Sequence, residues 1–559
     1  MMSAYRKIRG LAVRLLHGIA IRWVMRRDLR RFRRYAGILS GGNADIDGKG
    51  VALIAGMHGF IPGAKQDGFH SLALRLKGYR SVVLLLRSQH VVKAYYEVFG
   101  LRDFVYFDDY LDEGDRAIAG PVVAEVMGEA LSLRGLLAFR YKDVEVGKHA
   151  LSWIVRSSHA GILDFSDADL LQRVKRNLID GVMAVQAAER ALDAVSPDLA
   201  IFNEKGYTPL GEIFDVALNR GIDCVQYVGS HKDDALHLKR YTTSTRSSHP
   251  ISLASSTWEA VKRMSITDEE LQIFVEEHYE RYRTGQWYSR QELQKGKAMQ
   301  APDEVREQLG LSPELKTAVI FSHVLWDATF FYGEGLFDDY ATWLLESVRA
   351  ACQNANLNWI VKLHPANLWR LSRDGVKGEL IEHKLIRDAI GALPAHVRLM
   401  DSDTAVNTAS LFAVIDYCVT VRGTIGMEMP MFGVPVITGG TGRYSGFGFT
   451  VDSASSAAYL DRLARLHEMR PLSDEAVRLA RLHAYAIFKL RPFSWRVADV
   501  ECRQTRGIGS AVMPQVSPCI DSWADLRESS ELAELGRWLT TSSDQDLFGA
   551  GIVPGRGSD

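Results

Sequence analysis

The sequence predicts an α/β protein of two doubly wound domains that face a cleft, with an amphipathic helix at its N-terminus. Three observations predict it. Short apolar runs of strand length alternate with helical periodicity in two separate blocks. A polar, helical stretch without clear strand runs divides the blocks. Glycine-rich or polar loops follow the strands in both blocks, where open parallel sheets bind ligands.

Taken in order, residues 1–40 read as a basic amphipathic helix, with Leu11, Leu15, Ile19 and Trp23 at i, i+4 steps and arginines between them. Residues 41–228 form the first block. There Val51–Ala55 is a short buried strand, followed by the glycine-rich loop Gly56–Gly63, a helix through His70–Lys77 and a second strand at Ser81–Leu86. A long helix over 170–193 leads to the strand Asp198–Phe202, the helix Gly211–Asn219 and the step Gly221–Tyr227. Residues 229–302 are the helical inter-domain region. The second block, 303–456, alternates strands at Thr317–Phe321, Asn358–Leu363, Val397–Met400, Ala413–Val421 and Val434–Thr438. Its helices fall at Phe337–Gln353, Gly378–Ile390, Ala405–Phe412 and Ile425–Phe432. Residues 457–503 return as C-terminal helices toward the first domain, and 504–559 read as a polar tail.

Composition narrows the function. The 559 residues are 47% hydrophobic and 24% charged, ordinary globular usage that excludes disordered, collagen-like and coiled-coil classes. A net charge of −1 argues against a dedicated nucleic-acid binder. The balance is uneven: residues 1–34 hold eleven Lys/Arg against the single acid Asp28, leaving 56 basic and 67 acidic residues in the body, a net charge of −11. A basic head of this kind either lies on an anionic membrane surface or packs on the body with a solvated basic face. The five cysteines include no C-x-x-C pair, so a disulfide framework or structural zinc site is not expected, and a reducing compartment fits. The stretch Gly10–Met25 is broken by Arg14, His17 and Arg22, too polar for a spanning helix or a signal peptide. The expected location is cytoplasmic, peripheral at the inner face of the membrane if the basic helix binds there.

Candidate chemistry gathers at the strand ends of the second block. Ser322-His323 leaves the first strand. Lys362-Leu363-His364-Pro365-Ala366-Asn367 ends the next, where Pro365 stops the ladder and an imidazole or ammonium can meet a phosphate. Arg422-Gly423-Thr424 runs from a strand into a helix start, which favours anions, and Glu428 lies one turn further on, placed to reach sugar hydroxyls. Tyr444 and Ser445 form another polar loop nearby. For each of these a structural reading stands beside the functional one: a satisfied turn histidine, or Thr424 merely capping a helix. In the first block, Asn203-Glu204-Lys205-Gly206 follows a strand, and Glu204 is the candidate general base, whereas Glu212 reads as an acid complementing a helix dipole. His58 and Gly59, in the first glycine loop, are candidates for the acceptor side. His323 and His364 have no third ligand at a convincing spacing, so no metal site is assigned. Serine-hydrolase, zinc-protease, kinase and deaminase signatures are absent from the sequence.

The segments Phe321–Asp327, Val361–Asn367, Arg422–Glu428, Gly433–Gly440, Arg443–Ser445 and Ala484–Phe488 with Arg491-Pro492 resemble the bacterial capsule polysaccharide biosynthesis family of glycosyltransferases. Together they span roughly residues 317–495. The resemblance implies a GT-B fold, with two Rossmann-like domains, the C-terminal one holding a nucleotide-sugar and the N-terminal one the acceptor. It implies no cofactor and no bound metal. His364-Pro365 is similar to the His-Pro pair of bacterial sialyl- and Kdo-type transferases, which makes His364 the leading donor-site and catalytic residue, with Thr424 as phosphate ligand and a CMP-sugar as favoured donor. The acidic base motif of those enzymes is not clearly reproduced, and Glu204 is its nearest counterpart. The expected function is therefore glycosyl transfer in capsule or lipopolysaccharide synthesis, to a glycan or lipid-linked acceptor. Polyol-phosphate transfer from a CDP-alcohol, NDP-sugar 2-epimerisation, and a non-catalytic glycan- or nucleotide-binding subunit are the alternatives.

Overall fold

The computed structural model describes residues 24–41, 48–129, 131–288, 294, 296–367, 378–504, 512–549 and 552. Its strands are β1 (Gly50–Ala55), β2 (Tyr79–Leu85), β3 (Phe104–Tyr106), β4 (Leu199–Phe202), β5 (Asp223–Gly229), β6 (Ala235–Tyr241), β7 (Thr317–Phe321), β8 (Asn358–Lys362), β9 (Val397–Met400), β10 (Tyr417–Thr420), β11 (Val436–Thr438), β12 (Phe493–Ser494), β13 (Ala498–Gln504) and β14 (Val512–Pro518). They form two main sheets and a hairpin. The first sheet has the order β12-β6-β5-β4-β1-β2-β3 and the second β11-β10-β7-β8-β9. The second is parallel throughout. The first is parallel from β3 to β5, and β6 and β12 then add antiparallel strands at one edge. Both are doubly wound α/β sheets that face each other across a cleft, as the alternation of apolar runs predicts.

The local reasons are those of covered parallel sheets. Residues of β4, β7 and β8 are buried throughout, because helices lie on both faces and leave no wet side for alternation. The helix Ile61–Arg75 connects β1 to β2 and begins inside the glycine loop, with Pro62 in its first turn where a missing N–H is harmless. A 28-residue helix, Ala168–Val195, is capped by the Asp167 carboxylate accepting the Asp169 N–H and leads into β4. On the far side of the second sheet the helix Asp474–Tyr485 and the π-turn Ala486–Leu490 carry the chain back to β12.

Two expectations need correction. The region 229–302 contains β6, whose seven residues are all buried although His237, Lys239 and Arg240 are polar. They stay inside because their charges are met: Lys239 Nζ lies 2.9 Å from Asp546 Oδ1, and Arg240 Nε donates to Asp223 at 2.8 Å. A strand with charged inward residues leaves no apolar run. The segment after 504 is also not a tail. It holds β14 and the helices Trp523–Glu528 and Ser530–Thr541, which bury Leu532, Leu535, Trp538 and Leu539 in the first domain's core.

The N-terminal positions Leu11, Leu15, Ile19 and Trp23 lie outside the described residues. From residue 24 the chain is helical and packs on the first domain through buried Phe32 and Leu39, with Asp28 bonded to Lys65 (3.0 Å) and to the Tyr95 hydroxyl (2.8 Å). Arg26, Arg27, Arg30, Arg31, Arg33 and Arg34 point to solvent. Among the described residues no helix is long and apolar enough to cross a membrane.

Candidate active site between the two sheets

Winding reverses between β7 and β10, so the loops after these neighbouring strands diverge and leave a crevice at their carboxyl ends. A cavity of about 410 Å³ occupies that crevice. The second sheet contributes Ser322 and His323 after β7, Lys362, His364 and Pro365 at the end of β8, and Arg422, Gly423 and Thr424 after β10. The first sheet's side contributes Glu204 and Tyr207 after β4, and His249, Pro250 and Ile251 beyond β6. Ten sequence-predicted residues thus meet in one cavity: Glu204, Ser322, His323, Lys362, His364, Pro365, Arg422, Gly423, Thr424 and Glu428.

Hydrogen bonds fix the His364 turn. The His364 N–H donates to Ser322 Oγ (3.0 Å), and Ser402 Oγ donates to the His364 carbonyl (3.0 Å). The Ala366 N–H donates to Nδ1 at 3.1 Å, which leaves the ring proton on Nε2. Lys362 is buried beside it, and burial, reinforced by Lys297, pushes its ammonium down to about 8. Arg422 is 3% exposed, its guanidinium donating to the Tyr340 hydroxyl (2.8 Å) and the Thr441 carbonyl (2.7 Å). Arg443 donates to the Arg422 carbonyl at 2.8 Å. The second-sheet wall is therefore cationic and rich in N–H donors.

Carboxylates come from both sides. Glu204 Oε1 accepts the Lys205 N–H at 2.8 Å. Burial raises the Glu204 carboxyl to about 7, the nearby Asp327 charge adding to the rise and the Lys205 N–H only partly offsetting it. Asp327, from the second domain, faces Arg156 (3.6 Å) and the Tyr207 hydroxyl (3.4 Å) of the first. The Tyr207 hydroxyl in turn accepts the Ala328 N–H (3.0 Å), so one tyrosine ties the two domains together beside Glu204.

Other predicted residues have different surroundings. Glu428 borders the cavity but is fully buried, its carboxylate accepting from His278 Nε2 (3.0 Å) and the Tyr282 hydroxyl (2.9 Å). It fastens the helix Asp268–Arg283 to the loop, which replaces the sugar-hydroxyl role. Thr424 makes no side-chain cap, and the helix it precedes is a single turn, Ile425–Glu428, so anion attraction here rests on the side-chain cations. Asn367 is turned away and donates to Glu382 Oε1 at 2.5 Å. Tyr444 is buried against Gly426, and Ser445 does not line the cavity. His58 sits after β1, bonded to Asp67 Oδ2 at 3.0 Å, and neither it nor Gly59 lines the cavity. Glu212 is fully buried, accepting from Thr208 Oγ1 at 2.7 Å, and does not line the cavity.

Residues without a prior assignment complete the site: Tyr207, His249, Asp327, Tyr340 and Arg443. His249 had a readable signal, because His249-Pro250 repeats the His364-Pro365 pair. Tyr207 and Tyr340 carry none, since each enters from a loop or helix start whose tertiary position the sequence does not announce. Among the described residues no group of three or more His, Cys, Asp or Glu is placed to hold a metal ion.

No protein-family model matches the chain, and no curated protein matches its sequence. Among solved structures the chain is similar to Thermosulfurimonas dismutans KpsC, beta Kdo 2,7 transferase, at 15% identity and TM-score 0.33, covering 63% of this chain and 89% of that one. It is similar to the KpsC beta Kdo 2,4 transferase of the same organism at 14% identity and TM-score 0.31, covering 59% and 86%. UDP-GlcNAc 2-epimerase from Neisseria meningitidis, bound to UDP-GlcNAc, is similar at 11% identity and TM-score 0.24, covering 77% and 94%. Likenesses this distant carry no argument about activity. The cavity's own chemistry has to carry it.

Proposed function

We propose that the chain is a glycosyltransferase that binds a nucleotide-activated sugar, a CMP-sugar by preference, and transfers the sugar to a hydroxyl of a glycan or lipid-linked acceptor in surface-polysaccharide synthesis. One observation carries the reading: a single cavity at the switch point of the second sheet has a cationic wall on that side and a carboxyl raised to about 7 on the other. A phosphate-bearing leaving group fits the first, and an acceptor hydroxyl the second.

The departing phosphate gains negative charge as the glycosidic bond breaks. Arg422 and Arg443 are held by hydrogen bonds beside the place where that charge develops, with the Lys362 ammonium buried next to them, and preorganised cations stabilise it without reorganisation. His364 Nε2–H donates to a phosphate oxygen. Glu204, once ionised, takes the proton of the attacking hydroxyl, and its raised carboxyl makes it a stronger base near neutral pH than an exposed glutamate. Tyr207 and Asp327 hold the two domains together at this point, excluding water that would hydrolyse the donor. Glu204 and Asp327, the cavity carboxyls not already held by His278 and Tyr282, support catalysis over a binding-only role.

The test is a thermal-shift panel of CMP, CDP, UDP, GDP and dTDP against wild type and His364→Ala. A ligand that binds only the native state raises the melting temperature by mass action. A selective rise with one nucleotide that the variant loses is the expected outcome, and product analysis with the matching sugar nucleotide then separates a glycoside from a phosphodiester or an epimerised donor. Equal melting temperatures with and without all five nucleotides would reject the donor site.

A further inference from the structure

The cavity holds two histidine turns of the same design, one from each side. In both, histidine precedes proline and its ring bonds back to the chain: Nδ1 of His364 accepts the Ala366 N–H (3.1 Å), and Nδ1 of His249 accepts the Ile251 N–H (3.1 Å). With Nδ1 serving as acceptor, each neutral imidazole carries its proton on Nε2. Among the described residues, His249 Nε2 makes no protein hydrogen bond, and the residue lines the cavity.

In both turns a serine hydroxyl donates to the histidine carbonyl, Ser402 Oγ to His364 (3.0 Å) and Ser252 Oγ to His249 (2.7 Å). The His364 turn is fixed by Ser322 and Ser402. The His249 turn is held in addition by one guanidinium: Arg491, fully buried, donates to the carbonyls of Pro250 (3.2 Å), Ile251 (3.0 Å), Ser252 (2.9 Å) and Leu238 (3.0 Å). The His249 N–H also donates to the Gly442 carbonyl (3.0 Å), reaching across to the loop that carries Arg443. The His249 ring packs on Tyr332, with centroids 4.8 Å apart. Burial, and after it the charges of Arg443, Arg422, His323 and Lys205, press the His249 imidazole well below its ordinary range, and the cations among these neighbours attract an anion.

We propose that His249 and His364 form a two-sided clamp on the phosphate group of a nucleotide, each donating Nε2–H to a phosphate oxygen from a separate turn of the cavity wall. The clamp rests on the nucleotide reading of the cavity. It extends that reading by giving the donor a second hold from the turn beyond β6, which is itself tied to the second sheet's loops through the His249 N–H and the Gly442 carbonyl. His323 is not a third jaw of this kind, because its Nδ1 faces its neighbour's carbonyl, Val324 O at 3.2 Å, and its ring packs at a tilt on Tyr340.

Two substitutions separate the roles of the two ring nitrogens. An asparagine side chain reaches the position of Nδ1 and can keep the turn bond to the Ile251 N–H, but it has nothing at Nε2. A glutamine amide reaches the position of Nε2 and can keep the donor, but it loses the turn bond. CMP, CDP and UDP are titrated calorimetrically into wild type, His249→Asn, His249→Gln and His364→Asn. For a nucleotide that wild type binds, loss of a hydrogen bond to a charged group weakens affinity by about tenfold or more in His249→Asn, and His249→Gln recovers part of the loss. Binding by His249→Asn equal to wild type, or better than by His249→Gln, overturns the clamp and leaves His249 a turn-former. If wild type binds none of these and none of GDP and dTDP, the nucleotide reading fails and the clamp fails with it. Circular dichroism of each variant confirms that the comparison is between folded proteins.

Discussion

Replacing Glu204 with Gln tests the proposed base through two readouts of opposite sign. The carboxyl sits at about 7 against an ordinary 4.5, chiefly because burial disfavours its charged form. For a base of that strength the transfer rate rises with pH through about 7, and at pH 5 only about 1% of the carboxyl is ionised, so the rate is about a hundredfold below its plateau. In Glu204→Gln the plateau falls by about 10²–10⁴ and the acidic limb disappears. Stability moves the other way. The folded protein holds this proton more tightly than the unfolded chain does, so Glu204 withdraws stability as pH rises from about 4.5 to about 7. At about 1.4 kcal/mol per pH unit of displacement, the penalty above neutrality reaches about 3 kcal/mol. Glu204→Gln therefore melts higher than wild type at pH 8 and at nearly the same temperature as wild type near pH 4.5. The assay is donor consumption from pH 5 to 9, with melting curves at both pH extremes. A variant that keeps more than about a tenth of the plateau rate, against the 10²–10⁴ expected of a lost base, refutes the assignment. One that melts no higher at pH 8 refutes the buried-carboxyl argument.

Two further predictions concern the frame around the cavity. Asp546 meets both Lys239 (2.9 Å) and Arg491 (3.1 Å), and all three side chains are at most 1% exposed. Asp546→Asn leaves two buried cations without a counter-charge and is expected to destabilise the protein by about 3–5 kcal/mol in urea unfolding; a loss below about 1 kcal/mol, the range of an exposed pair, shows that the triad is not what holds the last segment in place. Gly147 lies against the backbone of the preceding helix, and a Cβ there would stand 1.8 Å from the Leu136 carbonyl oxygen. Gly147→Ala is expected to destabilise by about 1–3 kcal/mol, and an unchanged melting temperature would mean that the two helices can separate at no cost.

What was legible in the sequence follows from where charge sits. Strands such as β7 and β8 are apolar along their whole length because both faces are covered, and their bounds can be read to within a residue. Polar residues directly after such strands stand out, which is why Ser322, Lys362, His364 and Arg422 could be placed at the cavity before any fold was known. The same contrast fails where buried positions are themselves charged. In β6 the inward Lys239 and Arg240 find their acids on Asp546 and Asp223, one of them 307 residues away. No local pattern encodes a partner at that distance, so β6 and the closing helices read as connector and tail. Glu428 misleads in the opposite direction: its position beside a strand end suggests a sugar ligand, but His278 and Tyr282, from a helix in the supposed connector, already hold it.

Two of the buried cations share a location. Lys239 on β6 and Arg491 before β12 both point at Asp546, and Arg491 also grips the turn that presents His249. These two cations, invisible to a hydrophobicity reading, thus help position the His249 wall of the cavity. It follows that Asp546→Asn, far from the nucleotide in sequence and making no contact with the cavity, should loosen the His249 turn and weaken nucleotide binding at temperatures where the protein is still folded. His364, held by Ser322 and Ser402 on the other sheet, should keep its share of that binding, so the loss in Asp546→Asn should match that of His249→Asn and the two substitutions together should add little.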